Sequence, residues 1–412
     1  MTDFDKYLEE AITTDLPSSE DEADIEDEDT CGIKELAANF RLKYKTQDES
    51  VVSLKRDYIL SLCADQRFTR IAAGLSSTAI HIYDLQEDGG LKSLQEIPAK
   101  EKPLTGAVTC GVQFLDEGSD NLLVGTTDGV VRLFDLRTTG EQARFEYQSD
   151  PAAQMPQVPK SLTCFERNAN GRVICCGTEQ YLGLVHLLFF DVRERKQLGC
   201  YHESHEDDVT SVRFHDRNPD LLCTGGTDGL INVFDIKQSD EEEALQSTIN
   251  TESSVHRLNW HRNVYDKDII SCITHTNDFK SYECEEGDEV TSFERSDVTA
   301  AIRRKNAGNF NLINAHNLED NGVFLLAGTN LNRGEILRSV SVTSKEKLDP
   351  LANFEGNKQI VRESLFDAKR QLLVTGGESG IVSVWTQDGT GNVGNSSGKL
   401  KTKIKSHKKT PY

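Results

Sequence analysis

The clearest pattern of apolar and polar positions in the chain runs from residue 202 to residue 236, HESHEDDVTSVRFHDRNPDLLCTGGTDGLINVFDI. Its three short apolar runs, at 209–214, 221–223 and 230–234, are separated by polar residues, Pro and Gly. Short runs rich in β-branched and bulky side chains predict strands rather than helices. Asp228-Gly229 between the second and third runs is a strong hairpin signal, because Gly adopts φ > 0 at little cost. The pattern predicts a three-stranded antiparallel meander, with a fourth strand in the acidic segment that follows.

Imperfect copies of this pattern recur from about residue 51 to residue 387. An aromatic–acid pair, or a degenerate form of it, closes the third strand of each copy: Tyr83-Asp84, Phe134-Asp135, Phe190-Asp191, Phe234-Asp235, Tyr282-Glu283, Leu337-Arg338 and Trp385-Thr386. Successive pairs are 44 to 56 residues apart. One small sheet cannot bury both of its faces, so the copies must stack. A period of about 40 to 50 residues with four strands per unit is typical of a propeller.

The predicted fold is therefore all-β, a seven-bladed β-propeller over residues 39–387. Its units are expected at about 51–85, 103–136, 159–192, 202–236, 251–284, 308–340 and 357–387. Residues 40–47 are interpreted as a strand that precedes the first complete unit, whereas the last unit ends after its third strand. This mismatch predicts that the early strand becomes the outer strand of the last blade and closes the ring. The most apolar run, 182–190, is interpreted as a buried strand.

Two charged segments flank the predicted propeller. Residues 1–38 form an acidic tail with eight acids among residues 20–29, and such a block is expected to be disordered. Residues 1–14 place apolar side chains at helical spacing, so a short partner-docking helix is the alternative there. Ser18 and Ser19 lie three residues before acids, a spacing that favours acid-directed phosphorylation. Residues 388–412 are a flexible Gly/Ser linker followed by a lysine-rich tail.

Charge is unevenly distributed. The formal net charge is −22. Residues 1–30 hold 13 acids and one Lys and carry −12, whereas residues 399–412 hold six Lys and no acid and carry +6. The rest of the chain therefore carries −16 (−22 + 12 − 6). An acidic body disfavours contact with nucleic-acid phosphates and favours basic protein partners. The basic tail is a candidate for nuclear import or for weak RNA contact, and its alternative is a solvated tail without a binding role. Its lysines are Lys399, Lys401, Lys403, Lys405, Lys408 and Lys409.

The repeat over residues 51–387 resembles the WD-repeat family. In that family a His before the first strand, a Ser or Thr in the second strand, an Asp in the following turn and a Trp in the third strand form a hydrogen-bonded cluster within each blade. The resemblance implies that His205, Thr224 and Asp228 form such a structural cluster here. Phe234 stands at the Trp position, so the indole donor is absent. The run 407–412 and the phrase VRFHDRNPDLLCTGGTDGLINVFDI resemble one group in the family, which implies association with nuclear or ribosome-assembly work.

Other chemical readings of the sequence are weaker. Residues 389–394 match G-x-G-x-x-G, but no helix pattern follows them, which argues against dinucleotide binding. His202 and His205, with acids nearby, are an imaginable metal site, although their loop position favours a structural role. Asp128-Gly129 and Asp228-Gly229 are hairpin turns, so their carboxylates are expected to accept backbone N–H bonds rather than to act as catalytic acids.

The ten cysteines contain no C-x-x-C pair and are expected to be reduced. We expect an intracellular protein, nuclear or cytoplasmic, because no signal peptide or membrane span is visible. No cofactor, metal or small-molecule substrate is expected.

Three function classes remain. The leading interpretation is a non-catalytic scaffold for protein–protein interaction. The alternatives are an RNA-associated assembly factor that uses the basic tail and, less favoured, an enzyme that uses the propeller channel. The feature that discriminates the enzyme is a ring of charged residues from several blades that converge on the channel. The sequence is interpreted as having none, with polar residues only inside the blades.

Overall fold

Seven four-stranded antiparallel blades make up the fold of this computed structural model, which describes residues 32–52, 57–98, 107–115, 118–138, 140–149, 160–263, 265–304, 307–330 and 334–388. Strand β1 (Leu42–Val51) precedes blade one, which contains β2 (Ile59–Ala64), β3 (Arg70–Leu75), β4 (Ile80–Leu85) and β5 (Leu91–Ile97). Blade two contains β6 (Thr109–Phe114), β7 (Asn121–Thr126), β8 (Val130–Asp135) and β9 (Glu141–Glu146). Blade three contains β10 (Leu162–Arg167), β11 (Val173–Thr178), β12 (Leu187–Asp191) and β13 (Lys196–Tyr201).

The second half of the chain repeats the arrangement. Blade four contains β14 (Val209–Phe214), β15 (Leu221–Gly226), β16 (Leu230–Asp235) and β17 (Leu245–Asn250). Blade five contains β18 (Val255–Arg262), β19 (Asp268–Thr274), β20 (Phe279–Glu283) and β21 (Glu289–Phe293). Blade six contains β22 (Phe310–Asn317), β23 (Val323–Thr329), β24 (Leu337–Ser344) and β25 (Lys347–Glu355), and blade seven contains β26 (Val361–Asp367), β27 (Leu372–Gly377) and β28 (Ile381–Gln387) together with β1.

The described residues also form three short helices. Helix α1 (Ile33–Asn39) leads into β1, α2 (Glu241–Ala244) lies in the acidic segment of blade four, and α3 (Arg295–Ala301) lies between blades five and six. The sequence analysis assigned positions up to 38 to a disordered tail, so helix α1 corrects that boundary. Phe40 behind this helix is 1% exposed, and the Arg338 guanidinium lies 5.5 Å from its ring. That contact with blade six orders the chain ahead of β1.

The hydrophobic core is divided among the seven seams between blades. Each buried apolar cluster draws its residues from two consecutive blades, from the seam of blades one and two to the seam of blades seven and one. The first strand of every blade contacts the first strand of the next, and β2 contacts β26 to complete the circle. A blade therefore buries its faces only against its neighbours, as the repeat pattern predicts.

Strand β1 joins the ring in two directions. It pairs antiparallel with β28, from Tyr44 opposite Gln387 to Val51 opposite Ile381, which is the outer position predicted for residues 40–47. It also pairs in parallel with β25, from Leu42 opposite Ala352 to Lys45 opposite Glu355, which the sequence did not predict. Blades six and seven consequently form one eight-stranded sheet. Tyr44, 1% exposed, packs its ring 4.9 Å from that of Phe354 at this junction.

Antiparallel order places the turns on two faces. The connections from second to third strands and from each outer strand to the next blade share one face, here called the upper face. The turns from first to second and from third to fourth strands share the opposite, lower face. Within the described part of the chain, no helix has the length and apolar character needed to cross a bilayer.

Candidate functional site

The three residues of the blade-four cluster come from different segments and meet at the upper face. His205 precedes β14, Thr224 lies within β15, and Asp228 occupies the turn before β16. His205 Nδ1 lies 2.9 Å from Asp228 Oδ2, and His205 Nε2 lies 2.8 Å from Thr224 Oγ1. When Nδ1–H donates to the carboxylate, Nε2 accepts from the Thr224 hydroxyl. Both ring nitrogens of His205 are therefore hydrogen-bonded within the blade.

Asp228 is a saturated acceptor. Its carboxylate also accepts from the backbone N–H of Leu230 at 3.0 Å and of Glu206 at 3.1 Å. Burial raises the pKa of Asp228, but the hydrogen bond from His205 and those from the backbone outweigh it and hold the pKa below its ordinary value of 3.8. The carboxylate is ionised and fully hydrogen-bonded, which favours an ordering role over proton transfer. Gly229 completes the turn at φ +80°.

Asn232 takes part in the cluster, and sequence analysis missed it. It lies opposite Thr224 in the register of β15 and β16, and its Nδ2 donates to the Ser204 carbonyl at 2.6 Å. The Thr248 hydroxyl donates to Asn232 Oδ1 at 2.7 Å. Phe234, at the family's Trp position, is fully buried without a polar group. An amide on the third strand therefore supplies a link across the blade that the absent indole does not make.

In blade two an arginine takes the place of the histidine as the partner of the turn aspartate. Arg132 on β8 places Nη2 at 2.5 Å and Nη1 at 3.3 Å from the two carboxylate oxygens of Asp128. Arg132 is 8% exposed, and it occupies in β8 the position of Asn232 in β16. Burial raises the pKa of Asp128, but the bonds from Arg132 and Thr126 lower it below 3.8 overall. The expected turn has Gly129 at φ +91°, with an ion pair added to it.

Blade seven carries the bond that blade four lacks. Trp385 is fully buried, and its indole N–H donates to Thr375 Oγ1 at 2.9 Å. Residues 378–380 replace the Asp-Gly turn of blade four, and no His–Asp pair is present there. The family's four-residue cluster is therefore distributed between two blades of this chain, with each blade holding a part.

The first strands of all seven blades line a central channel with a cavity of about 770 Å³. Charged residues from four blades converge on it: Glu166 and Arg167 from β10, Arg213 from β14, Arg257 from β18 and Glu363 from β26. The expectation from the sequence that no charged residues from several blades converge on the channel was therefore wrong. It failed because successive charged positions on different strands are 44 to 106 residues apart along the chain and no local motif marks them.

The channel charges are engaged with one another and with the backbone. Arg213 Nη1 lies 3.3 Å from Glu166 Oε1, while Glu166 Oε2 accepts from the Phe214 backbone N–H at 2.5 Å. Arg213 Nε donates to the Leu258 carbonyl at 2.9 Å. Burial raises the pKa of Glu166, although Arg213 opposes that shift. One arginine and one glutamate thus connect blades three, four and five.

A second ion pair crosses the channel between blades five and seven. Arg257 Nη1 lies 3.0 Å from Glu363 Oε2, and Arg257 Nη2 lies 2.5 Å from Oε1. Their side chains are only 12% and 17% exposed. Burial opposes the charge of Arg257, but Glu363 outweighs it and raises the pKa of the guanidinium. Fork-to-carboxylate geometry of this kind fixes orientation as well as distance.

His316 contributes no charge near neutral pH. Burial lowers its pKa to about 3. His316 Nε2 lies 2.9 Å from Ser364 Oγ, which links blades six and seven. The polar lining of the channel is therefore built mainly of links between blades.

Several predicted features lie outside the described residues. These are Ser18, Ser19, the G-x-G-x-x-G run and the lysines of the C-terminal tail (Lys399, Lys401, Lys403, Lys405, Lys408 and Lys409). Among the residues that the structure describes, no three His, Cys, Asp or Glu side chains are placed to hold a metal ion. His202 is exposed and turned to Glu203 at 4.0 Å, while His205 is committed to the blade-four cluster. The nine described cysteines are free thiols.

Comparison with known proteins agrees with this architecture. Residues 196–235 match the family model described as WD domain, G-beta repeat. A WD repeat-containing protein of Saccharomyces cerevisiae is 30% identical over 191 residues, covering 46% of this chain and 44% of that protein. The WD repeat-containing protein 89 homolog of Dictyostelium discoideum is 22% identical over 306 residues, covering 72% of this chain and 78% of its own length.

A third relative shares a shorter segment. The DDB1- and CUL4-associated factor 11 homolog of Caenorhabditis elegans is 31% identical over 130 residues, which cover 31% of this chain and 22% of that protein. The family-model match, residues 196–235, includes the first three strands of blade four with His205, Thr224 and Asp228. With seven stacked blades and these matches, the chain has the fold of a WD-repeat β-propeller and is similar in sequence to proteins that carry such repeats.

Proposed function

We propose that the protein is a non-catalytic scaffold for protein–protein interaction, acting in nuclear or ribosome-assembly complexes. The observation that carries the proposal is the use of the channel charges. Glu166 pairs with Arg213, and Arg257 pairs with Glu363. These contacts, with the bond from the Phe214 backbone to Glu166, join different blades. A ring stiffened in this way presents its variable loops in fixed positions, which is how rigid scaffolds bind partners.

The relatives support the scaffold class. The Caenorhabditis elegans protein is named for association with DDB1 and CUL4, and the others are named only for their repeats. Nuclear or ribosome-assembly work rests on the resemblance of the 407–412 run and the blade-four phrase to one group in the family. The acidic body, with −16 outside the two tails (−22 + 12 − 6), supports basic protein partners.

One sequence observation favours a second candidate, an RNA-associated assembly factor. Six lysines and no acid lie in residues 399–412, and lysine-rich segments bind phosphates in a salt-dependent way. Removal of 389–412 is expected to abolish binding of a single-stranded RNA probe at low salt while the propeller still melts as before. Unchanged RNA binding would remove this candidate.

Charged residues do converge on the channel, which is the feature expected of the enzyme alternative. Catalysis needs a group that is free to exchange a proton or to attack a substrate. Each channel carboxylate described above is held by an arginine, and His316 is buried with a low pKa. This arrangement favours the scaffold.

The test is cross-linking mass spectrometry on the full-length chain expressed in cells, with and without ribonuclease. Cross-links from specific proteins to loops of the propeller that persist after ribonuclease are expected. Fractionation on a sucrose gradient then shows whether those complexes travel with ribosome precursors. A chain that yields no protein cross-links above those of an unrelated propeller would contradict the scaffold, and links that disappear with ribonuclease would favour the RNA candidate.

A further inference from the structure

The upper face of blade three carries an exposed apolar hairpin. Its second and third strands are joined by residues 179–186, whereas residues 227–229 suffice in blade four. Sequence analysis interpreted 182–190 as one buried strand, but the strand begins at Leu187 and the residues before it project outward. Leu182 is 84% exposed, Tyr181 50% and Leu184 47%. The insertion therefore places three large apolar side chains in solvent.

The hairpin is ordered rather than a loose loop. Tyr181 and Leu184 exchange two backbone hydrogen bonds, of 2.9 and 3.1 Å. Leu182 has φ +53° and Gly183 φ +80°, the left-handed pair that a tight hairpin turn requires. Such a turn favours Asn or Gly at the first position, and Leu there is strained. A strained backbone that displays an unburied Leu is typical of a binding element.

An acidic loop lies directly beside this tip. The backbone N–H of Gln180, next to Tyr181, donates to Asp208 Oδ1 at 2.7 Å, which joins the hairpin to the loop 202–208. The loop is in turn fixed by Glu241, whose carboxylate accepts from the backbone N–H of His202 at 2.7 Å and of Glu203 at 2.9 Å. Both elements therefore keep a constant position relative to each other.

The charged side chains around the tip are mostly acidic. None of the carboxylates along its border forms an ion pair with a Lys or Arg of the described chain: Glu179, Glu203, Glu206, Asp207 and Asp208. Lys160 places its ammonium 5.9 Å from the Tyr181 ring. Apolar side chains bordered by carboxylates without basic partners match a ligand of the opposite pattern.

Resting on the scaffold function proposed above, we propose that this tip and its acidic border, the blade-three tip site, dock a basic segment of a partner protein. The segment carries an aliphatic or aromatic side chain that packs on Leu182 and Leu184. Its Lys or Arg residues face Glu206 and Asp207. The apolar contact supplies affinity, and the carboxylates supply orientation and rate of association.

The probe is a displayed library of short random peptides, selected on the immobilised full-length chain. Enriched peptides are expected to combine Lys or Arg with Leu, Ile or Phe. The double variant Leu182→Asn with Leu184→Thr removes the apolar atoms, and Asn tolerates φ > 0, so the hairpin is retained. It should weaken the enriched peptides about tenfold or more. Glu206→Gln with Asp207→Asn should weaken them about threefold, and less at high salt.

Matched controls separate the site from general effects. Leu198→Thr removes a leucine that is 52% exposed on the outer strand of the same blade. Glu285→Gln with Glu286→Gln removes two exposed acids from a lower-face turn of blade five. Both controls should leave peptide affinity unchanged.

The outcomes distinguish this site from the scaffold function. Peptides that bind equally to the tip variants overturn the blade-three tip site and leave the scaffold standing. Concentration-dependent sedimentation that disappears with Leu182→Asn would identify a second copy as the occupant and overturn the basic segment. Enrichment of acidic or uncharged peptides would do the same. No enrichment, together with no protein cross-links in cells, would overturn both proposals.

Discussion

Arg257 and Glu363 are 106 residues apart, and their two-point ion pair connects blade five to blade seven across the channel wall that blade six provides. Most other channel contacts connect neighbouring blades, such as the bond from Asn259 Nδ2 to the Ala315 carbonyl at 3.1 Å. The pair therefore restrains a distance that no single seam fixes. Loss of either partner would leave the other charge poorly solvated, which is more costly than loss of the pair as a whole.

Breaking this pair should destabilise the ring. Glu363→Gln is expected to lower the free energy of unfolding by about 2 to 4 kcal/mol, because the Arg257 guanidinium then loses its carboxylate in a setting with little water. Urea unfolding at pH 7.5 measures the change. The double variant Arg257→Met with Glu363→Leu should recover at least half of it. If the double variant is no more stable than Glu363→Gln, the pair does not act as a unit.

The blade-four cluster should contribute to stability through Asp228. Asp228→Ala removes the acceptor for His205 and for two backbone N–H groups, and should cost about 1 to 3 kcal/mol. The matched control is Asp207→Ala, an exposed neighbour, which should be near neutral. Thermal melting compares the two variants. A variant of Asp228 that melts like the parent while an activity disappears would instead favour the enzyme alternative.

Acid should remove the same contribution. The folded pKa of Asp228 lies below its ordinary value of 3.8, so the unfolded chain binds the proton more tightly. The stabilisation is complete above about pH 4 and is lost as the pH falls through the folded pKa. Asp228→Asn should therefore reduce the loss of stability between pH 4 and pH 3, measured by urea midpoint. An unaltered acid limb would show that this carboxylate is not linked to folding.

His316 should produce a second, separate pH dependence. Its folded pKa of about 3 lies below the unfolded value of 6.5, so the unfolded chain binds more protons between these values and stability falls as the pH is lowered from about 6.5. From pH 7.5 to pH 5 the histidine accounts for about 2 kcal/mol of that loss. His316→Gln should make the loss smaller by this amount, whereas the exposed His202→Gln should leave it unaltered. Equal pH dependence in both variants would contradict the burial of His316.

Strand β1 should be required for a stable ring. Removal of residues 1–47 deletes Phe40, Tyr44, three of the seven residue pairs with β28 and all of the pairing with β25, so the free energy of unfolding should fall by more than about 3 kcal/mol. Removal of residues 1–30 leaves this strand intact and should have little effect. Differential scanning calorimetry of both truncations decides, and identical melting would contradict closure by β1.

The seam between blades four and five has a position that accepts no side chain. A Cβ on Gly225 would lie 2.5 Å from Val255 Cγ1, whereas a Cβ on Gly199, in blade three, meets nothing within 4 Å. Gly225→Ala should cost about 1 to 3 kcal/mol through overpacking, and Gly199→Ala should be neutral or slightly stabilising. Comparison of their melting temperatures tests whether the seams are packed as closely as the structure shows.

Repetition made the fold predictable from the sequence. Asp128-Gly129 and Asp228-Gly229 are read locally, because a turn depends on adjacent residues. The position of β1 followed from counting, since an unpaired strand at 40–47 and a last unit with three strands complete each other. Both inferences use information that lies within one repeat or at its ends.

Residues that act across blades were not predictable in the same way. Arg257 and Glu363 occupy ordinary polar positions of two strands, and only the closed ring places them within 3.0 Å. Arg132 reaches Asp128 from β8, whereas His205 reaches Asp228 from the loop before β14. Leu182 was misplaced because an apolar run favours burial, while Gly183 permits a turn that exposes it. A channel or a tip site depends on which segments meet, and hydrophobic periodicity does not carry that information.

The double pairing of β1 has a consequence for how the chain is made. Leu42 pairs in parallel with Ala352, which is synthesised 310 residues later (352 − 42). At about 5 to 20 residues per second of translation, that delay is roughly 15 to 60 s. Throughout it Phe40 and Tyr44 lack their burial, and the edges of the growing stack of blades remain open to other strands. The chain should therefore be most prone to wrong strand pairing during the interval between synthesis of β1 and synthesis of its partner strands.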